Sequence, residues 1–358
     1  MSSGPNRSDQ LSFDQLERIL TQAFAALELK CVCFSGGEPT LLGDDLYRAL
    51  RLCKEHGVIT RVVTNAYWAT SSEAALDFVR GLRDAGLDEL NISTDDYHLP
   101  FISLQRVRFA YEAALRLDFL SVAITNSYGP ESSLTPERLN AEFGGGELKL
   151  RFDVDGRSLG YDRQDGQTLL VLSNAPVSRL GTGIDGLEEH ELPQGADVDA
   201  LADRIGGCQW AIRSAAISAK GHLVSCCGFD VQDNEILDYG DLDSRPLTEL
   251  LDAADNDLIS NMIAILGPPR IRRMLEQLAP GETDFPRAKY STYCEVCTDL
   301  VTRPRNREAL YRHQGEFVEA VVAAREWLAS GHTGADGRIR VPKGAKVPFG
   351  FELREEAP

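Results

Sequence analysis

The strongest constraint this sequence places on its own fold is a period. Extended runs ending at Ser35, Thr64, Ser93 and Thr125 lie 29, 29 and 32 residues apart. Each interval has room for one strand, one helix and two short loops, the size of a βαβ unit. Ser12, with Gln15 three residues on, forms a capping box, and Leu16, Ile19, Leu20, Ala23, Phe24 and Leu27 follow at helical spacing. A strand over 30–35 ends in Gly36-Gly37, and Leu46, Ala49, Leu50 and Cys53 mark the next amphipathic helix. A strand over 58–64, a helix capped by Ser71-Ser72 and stopped at Gly86, a strand over 89–93, a helix over 104–117 and a strand over 120–125 complete the array. A further core strand is expected over 168–172. The strands read as apolar with little alternation, as parallel strands under a layer of helices do.

The fold class is therefore α/β, and a parallel barrel or a doubly wound sheet fits this pattern equally. Both gather their chemistry in the loops after the C-terminal ends of strands. The unusual residues sit there: Ser35 to Pro39, Thr64-Asn65 and Ser93 to His98. The array begins with a helix, so its first strand is expected to have an unpaired edge, with a further strand upstream.

Composition narrows the function classes. The chain has 358 residues, 43% of them hydrophobic, enough for a substantial core. Its net charge of -18 argues against a broad nucleic-acid or anionic-membrane surface. No apolar run spans a bilayer and the polar N-terminus lacks a signal peptide's apolar stretch, so a cytoplasmic protein is expected. Eight cysteines in that compartment read as metal ligands or thiols rather than disulfides.

Residues 216–224 resemble a hairpin around Lys220-Gly221, preceded by Cys208 and closed by Cys226 and Cys227. Cys294 and Cys297 form a CxxC, whose thiolates reach a single metal. Cys208, one of Cys226 and Cys227, and the CxxC pair make four ligands, suited to tetrahedral zinc or to an iron–sulfur cluster. Cys31, Cys33 and Cys53 lie on a core strand and a helix face and are expected to be inert packing.

Phe34 to Leu42, carrying Gly36-Gly37-Glu38-Pro39, resembles the GGEP motif of radical S-adenosylmethionine (radical SAM) enzymes. Thr64-Asn65 and Ser93-Thr94-Asp95 are similar to that family's TN and SxD positions, and Arg106 to its carboxylate-pairing arginine. Ser178 to Gly181 is a loose version of its adenine-side GRA segment. The resemblance runs from about residue 11 to 185 and implies a partial (βα)6 TIM-type barrel. It implies S-adenosylmethionine as cofactor, held by Ser35, Gly36, Gly37, Glu38, Pro39, Thr64, Asn65, Ser93, Asp95 and Arg106. Glu38 is the partner for its amino group; Ser93, Asp95 and Arg106 face the ribose and carboxylate. The family forms a 5′-deoxyadenosyl radical at a [4Fe–4S] cluster on CxxxCxxC, and no CxxxCxxC occurs in this sequence. The expectation is that the first strand and its cysteines were lost by truncation or a misassigned start, which the coding DNA upstream of Met1 tests. No catalytic residue is assigned, and a catalytic [4Fe–4S] cluster is implied only with that missing segment.

The later cysteines are similar to the SPASM and twitch extensions of the superfamily, which implies an auxiliary [4Fe–4S] cluster on Cys208, Cys226 or Cys227, Cys294 and Cys297. The expected organisation is a barrel over 1–185, a linker over 186–206, a smaller α+β cysteine-rich cluster domain over 207–300, and a C-terminal helix and tail over 301–358. A peptide or protein substrate and a flavodoxin- or ferredoxin-type electron donor follow as partners, with no nucleic acid or membrane. Tyr97 and His98 are candidates to face substrate. Two other readings stand: a non-catalytic scaffold relative, and a zinc-stabilised α/β binding protein.

Overall fold

The computed structural model describes residues 8–152, 157–162, 168–181, 183–204, 207–208, 210–211, 214–226, 231 and 233–330. Two compact units divide it, one holding the chain up to Val177 with Leu187–Pro193, the other holding Ser178–Gly186 and the chain from Gln194 onward.

The first unit realises the period. Ser12 and Gln15 satisfy each other's backbone N–H groups at the start of α1 (Phe13–Ala26), as the capping box requires. There follow β1 (Cys31–Phe34), α2 (Asp44–Glu55), β2 (Ile59–Thr64), α3 (Ser72–Ala85), β3 (Glu89–Ser93), α4 (Leu104–Ala114) and β4 (Ser121–Tyr128). Ser71 caps α3, and Gly86 ends it at φ 115. Then come α5 (Pro136–Phe143), β5 (Arg151–Phe152), β6 (Ser158–Asp162) and β7 (Leu169–Pro176), the last being the strand expected over 168–172. The seven strands form one sheet in the order β1-β2-β3-β4-β7-β6-β5. The first five in that order are parallel, and the β7–β6 and β6–β5 pairings are antiparallel. The parallel strands run in sequence order without the reversal that defines a doubly wound sheet.

One face of this sheet is covered. Phe34, Val62, Leu90, Ile92, Val122, Ile124 and Leu172 are buried in one core with α2 to α4. Burial therefore alternates along β2 and β3, against the expectation of little alternation, because the other face carries Arg61, Glu89, Asn91 and Ser93, all only half-buried. β1 pairs only with β2 among the described strands. Cys31 and Cys33 are exposed on it, which corrects their reading as core packing; Cys53 is buried as expected.

The second unit comprises α6 (Gly183–Gly186), β8 (Ala196–Asp197), α7 (Val198–Arg204), β9 (Ala216–Ile217), β10 (His222–Val224), β11 (Asp238–Asp241), α8 (Leu247–Asn256), α9 (Leu258–Ile265), α10 (Pro268–Leu278), β12 (Lys289–Tyr290), α11 (Tyr293–Thr302), α12 (Pro304–His313) and α13 (Val318–Ala329). β9 and β10 pair as the expected hairpin, and β11 adds a third strand. The stretch expected as a linker carries β8, which pairs with β12, and α7. Ile259, Met262, Ile263, Leu275, Leu300 and Phe317 centre this unit's core. Cys227 lies outside the described residues. Among the described residues no helix is long and apolar enough to cross a membrane.

Candidate functional site

The loops after β1, β2 and β3 leave the same end of three adjacent parallel strands. Gly36 turns the first loop at φ 131, and a Cβ there would meet nothing within 4 Å, so the backbone borders open space. Glu38 then caps a 3-10 turn over Pro39–Leu42. Its Oε1 accepts from Thr40 N at 3.2 Å, Thr40 Oγ1 at 2.6 Å and Thr64 Oγ1 at 2.9 Å. Its Oε2 accepts from Asn65 N at 2.8 Å. The carboxylate thus ties the β1 loop to the end of β2 and keeps acceptor capacity on Oε2.

The β2 loop is held as tightly. Thr64 is buried, and its Oγ1 also accepts from Ala66 N and Trp68 Nε1, each at 3.1 Å. Asn65 Oδ1 accepts from Tyr67 N at 2.9 Å, and the intervening Ala66 takes φ 61, which costs a non-glycine residue about 1–2 kcal/mol. Arg106, near the start of α4, donates from Nη1 to Tyr67 O at 2.6 Å, joining the helix after β3 to the loop after β2.

In the third loop, Ser93 Oγ lies 3.3 Å from Thr125 Oγ1. Thr94 Oγ1 is buried and bonds no described residue. Asp95 is buried, and its Oδ1 accepts from Tyr97 N at 3.0 Å, His98 N at 2.9 Å and His98 Nδ1 at 2.7 Å. The hydrogen bond to Asp95 raises the His98 pKa above its ordinary 6.5; burial opposes this, and the charges of Asp95 and Glu38 add to it. The third loop is linked to the others by the Arg106 bond to Tyr67 O, made by the helix that follows it. Sequence reasoning gave site roles to Gly36, Glu38, Thr64, Asn65, Ser93, Asp95, Tyr97, His98 and Arg106, and none to Thr40, Ala66, Tyr67, Trp68, Thr94 or Thr125. It gave His98 no partner, although an Asp three residues before a His in one turn is a signal for such a pair.

In the second unit, Cys208, Cys226, Cys294 and Cys297 come together. Cys297 is buried, and its thiol is raised well above the ordinary value, first by burial and then by Cys226, Cys208 and Cys294. Cys294 and Cys297 lie in the first two turns of α11, and Cys208 N donates to Ile263 O at 3.0 Å. Among the described residues no three of these thiols lie within 4.8 Å of one another. Thr292 Oγ1, two residues before Cys294, is buried and bonds no described residue. Glu295, between the CxxC cysteines, is fully buried and accepts from Arg179 N at 2.7 Å and Ser291 N at 3.0 Å. It fastens the segment Ser178 to Gly181 beside the cysteines, a link with no sequence signal beyond a carboxylate inside CxxC.

The chain is 19% identical over 123 residues to "Putative peptide biosynthesis protein YydG" of Bacillus subtilis (strain 168), covering 34% of this protein and 39% of that one. It therefore spans about two fifths of the length of this curated relative. Residues 2–119, which carry β1 to α4 and all three loops of the site, match the Radical SAM superfamily model.

Proposed function

We propose that this protein is a radical SAM enzyme that modifies a peptide or protein, with its sheet unit binding the cofactor as a partial barrel and its other unit holding an auxiliary cluster. The observation that carries this reading is that Glu38 ties the first two motif loops together, while Arg106, on the helix after the third, bonds the second. The residues fit S-adenosylmethionine. Glu38 Oε2 is an anionic acceptor for its ammonium group, open space adjoins Gly36, and the Thr94 hydroxyl is buried without a partner among the described residues. When bound, the cofactor with its reduced cluster supplies hydrogen-atom abstraction from substrate. Ser35, Gly36, Gly37 and Pro39 shape the backbone around the ligand, and Thr64 and Asn65 hold the Glu38 carboxylate still. Ser93 and Asp95 face the ribose, and Arg106 the carboxylate.

The eight cysteines contain no CxxxCxxC, so this sequence does not supply the ligands of a catalytic cluster and no step is assigned to one here. Cys208, Cys226, Cys294 and Cys297, with Cys227 as the alternative to Cys226, fit an auxiliary [4Fe–4S] cluster. Zinc at its usual 2.3 Å bonds draws its thiolates to about 3.8 Å apart. A four-iron cube keeps them wider. The peptide substrate is supported by the likeness to YydG, a putative peptide biosynthesis protein, and a flavodoxin- or ferredoxin-type protein is the expected electron donor.

Isothermal titration of the full-length protein with S-adenosylmethionine, together with iron, sulfide and zinc analysis after anaerobic purification, tests the proposal. Saturable binding and iron at the second unit are expected. No binding, or zinc without iron, refutes the corresponding half.

A further inference from the structure

After Val177 the chain leaves the sheet unit and returns to it for Leu187–Pro193. This short stretch lies at the candidate-site end of the sheet. Its Glu191 O packs against Gly129, the residue that follows β4. A Cβ on Gly129 would lie 2.1 Å from that oxygen and 3.3 Å from its carbonyl carbon, so only glycine admits so close a backbone. Tyr97 OH, in the third loop, reaches Glu191 Oε1 at 3.5 Å. His190 Nε2 stands 3.5 Å from Oε2 of Glu131, in the loop after β4. The stretch thus runs across the loops that follow β3 and β4, next to the turn that carries Asp95 and His98.

These ties are light. Glu189–Glu191 is a 3-10 turn with its own backbone bonds, Glu191 N to Glu188 O at 3.1 Å and Leu192 N to Glu189 O at 3.3 Å. Leu192 is the one side chain of the stretch that is buried. The Tyr97 bond is at the long limit for a hydrogen bond, and His190 and Glu131 are 62% and 66% exposed. Little apolar burial and exposed polar ties are the marks of a segment that opens locally, at less cost than unfolding the unit. Tyr97 connects this segment to the site. Its N–H is held by Asp95 Oδ1 at 3.0 Å, and its hydroxyl meets Glu191. A ligand that settles against the third loop therefore acts on Tyr97 directly.

We propose that residues 187–193 are a strap that closes over a ligand bound at the third loop, with Tyr97 as its latch. A ligand moves such a strap only by favouring the closed form over the open one, so bound ligand must shield the strap from attack. The proposal rests on the reading above that S-adenosylmethionine occupies this site.

Glutamyl endopeptidase digestion of the full-length protein, mapped by mass spectrometry, provides the test, because Glu188, Glu189 and Glu191 are cleavage sites within the strap. Saturating S-adenosylmethionine is expected to slow cleavage there about threefold or more, leaving cleavage after Glu147, exposed in the same unit, unchanged. In Gly129→Ala the new Cβ displaces Glu191, so cleavage without ligand should rise and S-adenosylmethionine should no longer protect, with its binding stoichiometry in titration kept. Tyr97→Phe keeps the ring and removes the hydroxyl, so it should lose part of the protection even if Gly129→Ala fails to fold. S-adenosylmethionine that binds in titration without slowing strap cleavage, or that slows cleavage after Glu147 equally, overturns the strap and leaves the cofactor reading standing. Full protection in Tyr97→Phe overturns the latch. Absence of S-adenosylmethionine binding in titration overturns the cofactor reading and the strap together.

Discussion

Glu38 accepts four hydrogen bonds before any ligand arrives, so replacing it separates two effects. Glu38→Gln keeps the size, removes the charge, and leaves at least one of Thr40 N, Thr64 Oγ1 and Asn65 N facing an amide donor or no partner. A charge-assisted hydrogen bond is worth about 1.5–3 kcal/mol, so S-adenosylmethionine affinity should drop about ten- to a hundredfold in titration calorimetry. An unsatisfied donor should cost about 1–3 kcal/mol in urea unfolding. Loss of stability with unchanged affinity would make Glu38 a loop tie only. His98 makes a second prediction, because its charged form is favoured in the folded state by Asp95 and Glu38. A raised folded pKa contributes stability that is complete below the ordinary 6.5 and is lost as pH rises through the folded value. The same loss of imidazolium beside Glu38 removes a competitor for the ligand's ammonium. Stability should therefore fall while cofactor affinity rises across the same window above pH 6.5, with Asp95, Asp96, Tyr97 and Glu38 the titratable neighbours. Both slopes should flatten in His98→Gln, and parallel slopes in the variant would assign them to another group.

Elements differ in how far their residues announced them. From α1 to β4 the period, the caps at Ser12 and Ser71 and the stop at Gly86 were legible, because each helix and strand is long enough to express its spacing. The antiparallel β5 and β6 were not, since two residues of β5 carry no periodicity and Arg151 reads as a loop cation. α5 was missed although Thr135-Pro136 is a cap followed by a first-turn proline. In the site, residue types were legible and partners were not: Glu38 could be named from GGEP, whereas its bonds to Thr40 and Thr64 depend on strand register. Gly207 shows how an element can position a site without any signal of its own. A Cβ there would lie 1.8 Å from Ala264 O and 2.5 Å from Ala264 C, backbone atoms that cannot yield. Only glycine lets the backbone pass α9 closely enough for Cys208 N to reach Ile263 O. Gly207→Ala should cost about 1–3 kcal/mol and lower iron content by displacing Cys208, measured by calorimetry and by iron per protein after anaerobic reconstitution. Full iron loading in a destabilised variant would detach Cys208 from the cluster.

Among the described residues the two largest cores lie one beneath the parallel sheet and one around α9 to α13, in different units. A smaller cluster around Leu201, Tyr290, Tyr293 and Val296 lies beside Cys208 and Cys294. The sheet unit and the other unit each carry one half of the proposed chemistry. A ligand that binds only the folded form stabilises the unit that holds it, by about 2.7 kcal/mol at a hundredfold excess over its Kd. For units of this size that is a rise of roughly 5–10 °C in Tm. Scanning calorimetry of the full-length protein should therefore resolve two transitions that respond to different additions. S-adenosylmethionine should raise only the transition of the sheet unit, and the Glu38→Gln variant should lose that rise. Chelation of iron should lower only the other, because the four thiols then remain beside a buried Cys297 without the metal that joins them. If both additions move one common transition, the units unfold together, and cluster loss would then also weaken cofactor binding. That outcome can be read directly, by titrating S-adenosylmethionine into chelated protein and comparing its affinity with that of the iron-loaded form.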